Sequence, residues 1–503
     1  MARLRDNVIA GYVGHAWVAL MGLAFVPAYL HALGPDAYGI VGFMLSLQAL
    51  SLLLDLGANV HVSREIAQRS TLANPGPGLG RLLRSFESLA WSIALVLGLG
   101  LAFASAPLAD GWLQPGAIPR ADLVQALVLC AAVVAASWPG SLYSAALVGM
   151  EQQPRLNALV VVFSTLRYAG VLPLLWFTDT GLSGFLLWQA AAALAQTLAT
   201  AWLAWLSLPP GARPASPHWD EIGGGLRFAM GAFAALSLGL VFSQLDKLVV
   251  SRMLPLADLG VYAVAAAIGA GLGRLVMPVF SATYPRFGRL LAAGDEAACT
   301  ELFRLAGQLV AVLTGAAAAV ACVFGQYLLH LWTGDAALAE RLHVPLALLM
   351  LGAHANALLS VPFALQLATG VTRPALVLNL VLVIASLPAF VIATRSQGLA
   401  GTAAVWALAN LAALPTMAWL MRRHLPRGET VRWMWRGVLM PGLGSAIPMW
   451  LVLAFGQLWP GLPMFPVLLV ACSASFVCAV MFAPDLRAWV IASLLSRSVP
   501  WGT

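Results

Sequence analysis

Apolar runs about 20 residues long follow one another along almost the whole of this 503-residue chain. A helix of about 20 residues spans about 30 Å, which is the thickness of the hydrocarbon core of a bilayer. Only 9% of the residues are charged, against roughly 25% in soluble domains. These features exclude a soluble protein and predict an all-α, polytopic membrane protein with about fourteen transmembrane helices. We expect the helices near 8–31, 38–62, 86–108, 121–149, 156–178, 182–208, 225–252, 258–284, 303–331, 341–368, 375–394, 399–421, 437–457 and 464–483, with the longest polar connections at 63–85, 209–224, 285–302 and 422–436.

The arginines separate by side when the connections are assigned alternately to the two faces of the membrane. Twenty arginines fall on the side of the N-terminus and four on the opposite side. Because cytoplasmic loops retain positive charge, both termini are expected in the cytoplasm. Topology then explains the net charge of +7, and no nucleic-acid partner is expected. The first apolar run is too long for a signal peptide and is expected to remain as a membrane helix.

The C-terminal region carries two further surface features. The arginine-rich segment 422–436 is expected to set topology or to contact anionic lipid. The tail 485–503 is expected to form an interfacial helix.

Short motifs recur along the chain at a nearly constant spacing. Gly39 and Gly260 open the second and eighth predicted helices, 221 residues apart, and Gly149 and Gly370 repeat that spacing after the fourth and tenth. Six helices per repeat give two parallel, pseudo-symmetric lobes around a central cavity, related by an axis along the membrane normal. The predicted domains are an N-terminal six-helix lobe at 1–208, a cytoplasmic linker at 209–224, a C-terminal six-helix lobe at 225–421, and an arginine-rich loop with two extra helices and the tail at 422–503.

Apart from arginines at helix ends, three cations fall inside predicted membrane helices: Arg167, Lys247 and Arg274. A charge at this depth costs about 2.5–3.5 kcal/mol on insertion scales, so each side chain should face protein or water. One interpretation is that they bind an anionic substrate in the cavity. The alternative is pairing with a carboxylate or carbonyl group, which for Lys247 is an ion pair with its neighbour Asp246.

Polar residues recur on the second predicted helix. Gln48, Ser51, Asp55 and Asn59 fall at i, i+3, i+7 and i+11, which would place them on one stripe. Ser51 and Asn59 are therefore candidates for substrate binding. Asp55 could bind a coupling H⁺ or Na⁺, or it could hold Arg274 in an ion pair.

The remaining candidates lie on other predicted helices. Gln244 shares a polar stripe with Lys247 and is a further candidate for substrate binding. Asp246, the second acid that we place inside a membrane helix, is a candidate for a coupling-ion site or an ion pair. His15 lies in the first helix, where a neutral imidazole can bind substrate or make a structural hydrogen bond. A metal site is not expected.

Two pairs of residues mark the cytoplasmic turns after the fourth and tenth helices. These are Gly149 with Arg155, and Gly370 with Arg373. They are candidates for hinges when the lobes rock, although helix termination and positive-inside anchoring explain them equally well.

The sequence resembles bacterial polysaccharide flippases of the O-antigen and exopolysaccharide type, in the multidrug/oligosaccharidyl-lipid/polysaccharide exporter superfamily. The resemblance covers roughly residues 1–421. The matching motifs are D-A-Y-G at 36–39, L-L-L-D-L-G at 52–57 with R-E-I-A at 64–67, and D-K-L at 246–248 with L-G-V-Y at 259–262.

The resemblance implies translocation of an undecaprenyl-pyrophosphate-linked glycan from the cytoplasmic to the periplasmic leaflet of the inner membrane. The bilayer and polysaccharide polymerase or export machinery are the other implied partners. The extra helices are similar to those of lipid II flippases, but the arginine that those proteins carry in the first helix is absent. A multidrug cation antiporter and a membrane glycosyl polymerase or ligase are the alternatives.

No cofactor is expected apart from coupling Na⁺ or H⁺. The phosphate-binding pattern G-x-x-x-x-G-K is absent, so ATP hydrolysis is not expected either.

Overall fold

The structure is a computed structural model that describes residues 11, 14, 16–55, 57–70, 76–209, 212, 216–218, 220–423, 425–455 and 463–495. Within these ranges the chain is helical and has no β-strand, only an isolated bridge between Gln114 and Pro255. The prediction of an all-α polytopic protein is confirmed.

The chain divides into two compact units, residues 1–263 and 264–503. The first unit contains a 3₁₀ turn, Leu52–Asp55, and the helices α1 (Val26–Ser51), α2 (Ala58–Arg69), α3 (Gly76–Gly111), α4 (Arg120–Ser137), α5 (Gly140–Gly149), α6 (Gln153–Tyr168), α7 (Leu172–Phe177), α8 (Gly181–Ser207), α9 (Asp220–Met253) and the beginning of α10 (Leu256–Ala292). The second unit contains the remainder of α10, a π-helix (Trp433–Leu439), and the helices α11 (Glu296–Thr333), α12 (Ala336–Leu358), α13 (Ser360–Thr369), α14 (Arg373–Met421), α15 (Glu429–Arg432), α16 (Met440–Phe455), α17 (Met464–Met481) and α18 (Pro484–Leu495).

Eleven helical stretches in the described ranges are long and apolar enough to cross a membrane. The longest stretch, α14, bends at Gly398, which has a φ of 58°, and so combines two predicted spans. A similar kink at Gly34, with a φ of 81° and followed by Pro35, separates the first predicted span from the second. With α9 as the seventh predicted span, the described helices correspond to the second to fourteenth predicted spans, and the first, at 8–31, lies partly outside the described residues.

Two predicted helices are interrupted inside the membrane region. The helix expected at 38–62 ends at Ser51; after the 3₁₀ turn, left-handed Gly57 (φ 81°) precedes a new helix, α2. The helix expected at 121–149 ends at Ser137 and restarts after Pro139, which has no N–H to continue the hydrogen-bond ladder.

The prediction of a polar loop at 285–302 is wrong. Helix α10 continues to Ala292, and α11 begins at Glu296. The Asp295 carboxylate accepts a hydrogen bond of 2.9 Å from the Ala298 amide and so caps the N-terminus of α11. The polar residues at 285–302 therefore belong mostly to the ends of two helices and not to a loop.

The first unit has a tightly packed aromatic and aliphatic core. Phe86, Trp138 and Tyr143 are buried there among aliphatic side chains of α2, α3, α5 and α8. Gly149 lies against α2: a Cβ at this glycine would stand 2.5 Å from the Ser63 carbonyl oxygen. This core holds α2 in place after the interruption at 52–57.

The second unit is built on α11, which packs against α12, α16, α17 and α18. Buried Gln308 of α11 holds the N-terminus of α18. Its amide oxygen accepts 2.9 Å hydrogen bonds from the Asp485 and Leu486 amides, and its amide nitrogen donates 2.6 Å to the Asp485 carboxylate. The chain after 484 therefore begins as a helix docked on the protein.

Candidate functional site

A cavity of about 240 Å³ opens within the first unit beside the interruption between α1 and α2. Asp55 and Asn59 supply polar groups to a lining that is otherwise mostly apolar and aromatic, including Phe86 and Trp138. Asp55 is half-buried, and one of its carboxylate oxygens accepts a 3.3 Å hydrogen bond from the backbone N–H of Asn59. The interruption places one carboxylate, at the start of α2, in an apolar cavity.

The same interruption corrects the prediction that Ser51, Asp55 and Asn59 share one helical stripe. Ser51 ends α1, whereas Asn59 is in the first turn of α2. Ser51 is buried; its hydroxyl donates 2.7 Å to the Gln48 carbonyl oxygen, and its own carbonyl accepts 2.9 Å from the indole of Trp138. The structure brings Asp55 and Asn59 together in the cavity. Ser51 instead accepts a hydrogen bond from Trp138, which lines the cavity.

Lys247 lies in an ion pair with Asp246. The ammonium nitrogen is 3.0 and 3.2 Å from the two carboxylate oxygens and donates 2.9 Å to the Ser243 carbonyl oxygen. The Tyr262 hydroxyl donates 2.9 Å to the same carboxylate, which is only 1% exposed. The Asp246 carboxylate is thus compensated by a cation and a hydroxyl, as the ion-pair interpretation requires.

The other two predicted polar residues add little to this cluster. Gln244 is half-buried and donates 3.3 Å to the Ser243 hydroxyl. His15 lies outside the described residues.

Arg167 is held at the end of α6 by α8. Its Nε donates to the side-chain oxygen of buried Gln189, whose amide nitrogen returns a 3.3 Å hydrogen bond to the Arg167 carbonyl. The buried Tyr29 hydroxyl donates 2.5 Å to the carbonyl of the next residue, Tyr168. Gln189 and Tyr29 had no distinguishing signal in the sequence, because uncharged polar residues are common in membrane helices.

Arg274 is different, because its side chain is exposed near the middle of α10. Within the described residues of the second unit, no hydrogen-bond or ion-pair partner is found for it. A guanidinium presents five N–H donors and can make bidentate hydrogen bonds to a phosphate. Of the three membrane cations, Arg274 is the one that its own unit leaves open to a ligand.

Helices α1 and α10 cross in direct backbone contact. A Cβ on Gly39 would stand 2.8 Å from the Leu256 carbonyl carbon, and one on Gly260 would stand 2.9 Å from the Gly39 nitrogen. Each would also overlap a carbonyl oxygen, that of Leu256 or of Pro35 respectively. The contacts are therefore reciprocal, and Pro35 and Leu256 are 221 residues apart, as are Gly39 and Gly260. This two-fold crossing has the spacing of the repeat seen in the sequence.

The four hinge candidates have different surroundings. Gly370, with a φ of 72°, ends α13 in the left-handed conformation that favours glycine. Arg155 and Arg373 are both exposed near the beginnings of the helices that follow their turns. Gly149, in contrast, is a close-packing position against α2.

Glu87 is an acid inside a predicted membrane helix that the sequence-based prediction missed. One carboxylate oxygen accepts 2.6 Å from the Tyr143 hydroxyl and 3.1 Å from the Trp205 indole; the other is 2.6 Å from an Arg84 nitrogen. The Trp91 indole donates 2.9 Å to the Tyr143 hydroxyl and extends the network. Glu87 lies inside the predicted helix 86–108, and that position was the available signal.

An ion pair joins the end of α2 to the beginning of α9, outside the apolar stretches. Arg69 contacts both carboxylate oxygens of Glu221, at 3.2 and 2.7 Å, and is 3.0 Å from Glu65. These hydrogen bonds hold the pKa of the Glu221 carboxyl below its usual range and raise the pKa of the Arg69 guanidinium. Charged groups thereby tie the two helix ends together.

Three solved structures share this fold. The lipid II flippase MurJ, in an inward closed conformation, has 11% sequence identity and a TM-score of 0.73, covering 96% of this chain and 99% of its own. An inward-facing multidrug resistance MATE transporter has 16% identity and a TM-score of 0.67, covering 84% and 97%. A transporter from Pyrococcus furiosus, described by its reversed binding-pocket polarity, has 17% identity and a TM-score of 0.59, covering 84% and 95%. These likenesses establish the fold.

Family sequence models give the relationship. The model described as polysaccharide biosynthesis protein matches residues 4–291, which is more than half of the chain, and the MatE model matches residues 232–392. No curated protein sequence matches the chain. The predicted resemblance is confirmed: the chain belongs to the polysaccharide biosynthesis protein family, among the flippases and exporters of the multidrug/oligosaccharidyl-lipid/polysaccharide exporter superfamily.

Proposed function

We propose that this protein is a flippase for undecaprenyl-pyrophosphate-linked oligosaccharide. It moves the headgroup from the cytoplasmic to the periplasmic leaflet of a bacterial inner membrane by alternating access, without hydrolysing ATP. The observation that carries this proposal is Arg274, an exposed arginine in the middle of a long apolar helix. A cation in that position fits a pyrophosphate that must cross the hydrocarbon core.

The other two cations have secondary roles in this proposal. Arg167 is fixed by Gln189 through Nε, and its remaining N–H donors face the glycan or pyrophosphate. Lys247 keeps Asp246 neutralised beside Tyr262 of α10 and contacts substrate with the part of its surface that remains exposed. The excess of arginines on the side of the N-terminus supports placing both termini in the cytoplasm.

Asp55 is the proposed coupling site. It is the carboxylate in the cavity of the first unit, beside Asn59, and no cation within that unit's described residues pairs with it. A carboxylate and an amide oxygen can hold Na⁺, and the carboxylate alone can hold H⁺. Binding and release of H⁺ or Na⁺ at Asp55 would couple the ion gradient to the rocking of the two lobes. The gradient would then supply the energy for translocation in place of ATP.

The test is translocation by the purified full-length protein in proteoliposomes, with a fluorescent undecaprenyl-pyrophosphate oligosaccharide and with or without Na⁺ and H⁺ gradients. We expect transfer between leaflets to slow roughly 10- to 150-fold in Arg274→Gln, since a charge-assisted hydrogen bond contributes about 1.5–3 kcal/mol. Arg289→Gln is the matched control, because Arg289 is exposed in the last turn of the same helix. Equal rates for the two variants would remove Arg274 from the mechanism.

A cation antiporter is the second candidate, favoured by a carboxylate in a cavity lined by Phe86 and Trp138. Aromatic faces and a carboxylate together attract organic cations. Efflux of a fluorescent cation, lost in Asp55→Asn and unchanged in Arg274→Gln, would support this function over the flippase. Lipid II is tested in the same proteoliposomes, as a second lipid diphosphate.

A further inference from the structure

Arginines and tryptophans form an exposed surface where α14 ends and the π-helix begins. We call it the arginine–tryptophan patch. Its members, all exposed, are Trp419, Arg422, Arg423, Arg427, Arg432, Trp435 and Arg436. Both elements belong to the second unit and pack against each other.

The positive charge of the patch is not cancelled by its own acid. Glu429 is the only acidic residue between 419 and 439, and it is only 4% exposed. Arg304 of α11 contacts both of its oxygens, at 2.6 and 2.5 Å, and Arg432 approaches one of them to 3.7 Å. Because Glu429 is already neutralised from within the protein, the other patch arginines keep their charge available to an external anion.

The patch also has the apolar part that a membrane surface requires. Trp419 and Trp435 are 58% and 57% exposed, and the Arg422 guanidinium carbon lies 4.6 Å above the Trp419 ring. Exposed apolar side chains continue beyond the π-helix on α16, including Leu443 and Trp450. Tryptophan side chains are enriched at the level of the lipid headgroups, and arginines make bidentate hydrogen bonds to phosphates.

We infer that the arginine–tryptophan patch is a binding site for an acidic phospholipid, whose phosphate contacts the arginines while its acyl chains lie along α16. A soluble anion would account for the arginines but not for the adjoining exposed tryptophans and leucine. A generic positive-inside loop would not need its single acid buried against a helix of the protein core. The patch shares no residue with the proposed transport site, and the inference does not depend on the proposed function.

The test is native mass spectrometry of the full-length protein, titrated with phosphatidylglycerol or with phosphatidylcholine of the same acyl chains. We expect the wild-type protein to bind phosphatidylglycerol more tightly. The Arg422→Gln/Arg423→Gln variant should bind it about 30-fold more weakly, since each arginine near an anionic surface contributes about fivefold. The control, Arg289→Gln/Arg395→Gln, removes the same charge from exposed positions elsewhere and should keep the wild-type affinity.

Two results would overturn the inference: equal binding of the two phospholipids by the wild-type protein, or wild-type affinity in a folded Arg422→Gln/Arg423→Gln variant. If that variant does not fold, Arg422→Lys/Arg423→Lys is tested in its place. Lysine keeps the positive charge that sets topology but cannot make the bidentate hydrogen bonds of arginine. We then expect binding weaker than that of the wild-type protein. Unchanged binding by the lysine variant would equally reject the site.

Discussion

The crossing of α1 and α10 predicts a specific cost for one added methyl group. In Gly260→Ala the new Cβ would stand 2.9 Å from the Gly39 nitrogen, and closer still to the Pro35 carbonyl oxygen, whereas ordinary contacts begin at 3.4 Å. The obstructing atoms are backbone, so they cannot rotate away and the helices must separate. Overpacking of this kind costs about 1–3 kcal/mol. We therefore expect the crossed arrangement to become about 5- to 150-fold less populated relative to states without the crossing.

Thermal unfolding and leaflet transfer in proteoliposomes measure this cost. Gly260→Ala should lower the unfolding temperature and change the transfer rate. The matched control is Gly288→Ala on the same helix, where a Cβ meets nothing within 4 Å. The control should be neutral or slightly stabilising, because alanine is the better helix former by about 0.5–1 kcal/mol.

The reciprocal geometry gives a second, sharper expectation. Gly39→Ala and Gly260→Ala force the same separation of the same two helices, so the double variant should lose less stability than the two single losses added together. If Gly260→Ala melts like Gly288→Ala, or if the costs of the two crossing variants are additive, the helices do not meet as described.

Three further expectations test the contacts around the site. Gln308→Ala leaves the Asp485 amide and carboxylate without their partner at a cost of about 1–3 kcal/mol, so limited proteolysis should reach the chain after 484 faster than in the wild type. Glu87→Gln removes a charge that accepts from Tyr143 and so should lower the unfolding temperature more than a surface Glu→Gln change, as measured by thermal unfolding in detergent. The ion pair of Glu221 should contribute about 1 kcal/mol or less to wild-type stability at neutral pH. Because the folded pKa of Glu221 is lowered, this contribution is lost when the carboxylate is protonated, so the wild type and Glu221→Gln should become equally stable as pH falls below about 4.

The number and positions of the membrane spans were predictable because the bilayer imposes one length on every crossing helix. Breaks inside the spans were harder to see. The stretch around Asp55 is so apolar that a hydropathy window passes over it, and only Gly57 marks the left-handed turn that ends the predicted helix. A loop at 285–302 was predicted from polarity, yet α10 continues to Ala292 and Asp295 caps the helix that follows.

The charged candidates could be identified from the sequence more readily than their hydrogen-bond partners could. Lys247 beside Asp246 could be read as an ion pair because the two are adjacent in the chain. Gln189 could not be assigned to Arg167, since 22 residues and a second helix separate them. Glu87 was predictable as an acid inside a membrane helix from its position in the predicted span 86–108, but its hydrogen bond from Tyr143 depends on packing that no local pattern encodes.

The structure changes what a loss of transport would mean for each cation. Arg167→Gln would leave buried Gln189 with an unmet hydrogen bond, so lost transport would be accompanied by lost stability. Lys247→Gln would leave the buried Asp246 carboxylate without its cation, which is costlier still. No partner of Arg274 is found within the described residues of its unit, so its replacement would leave no group there unpaired. The unfolding temperature should therefore stay unchanged. A transport defect without a stability defect is therefore the signature that separates contact with substrate from support of the fold, and among these three cations Arg274 is the position where it is expected.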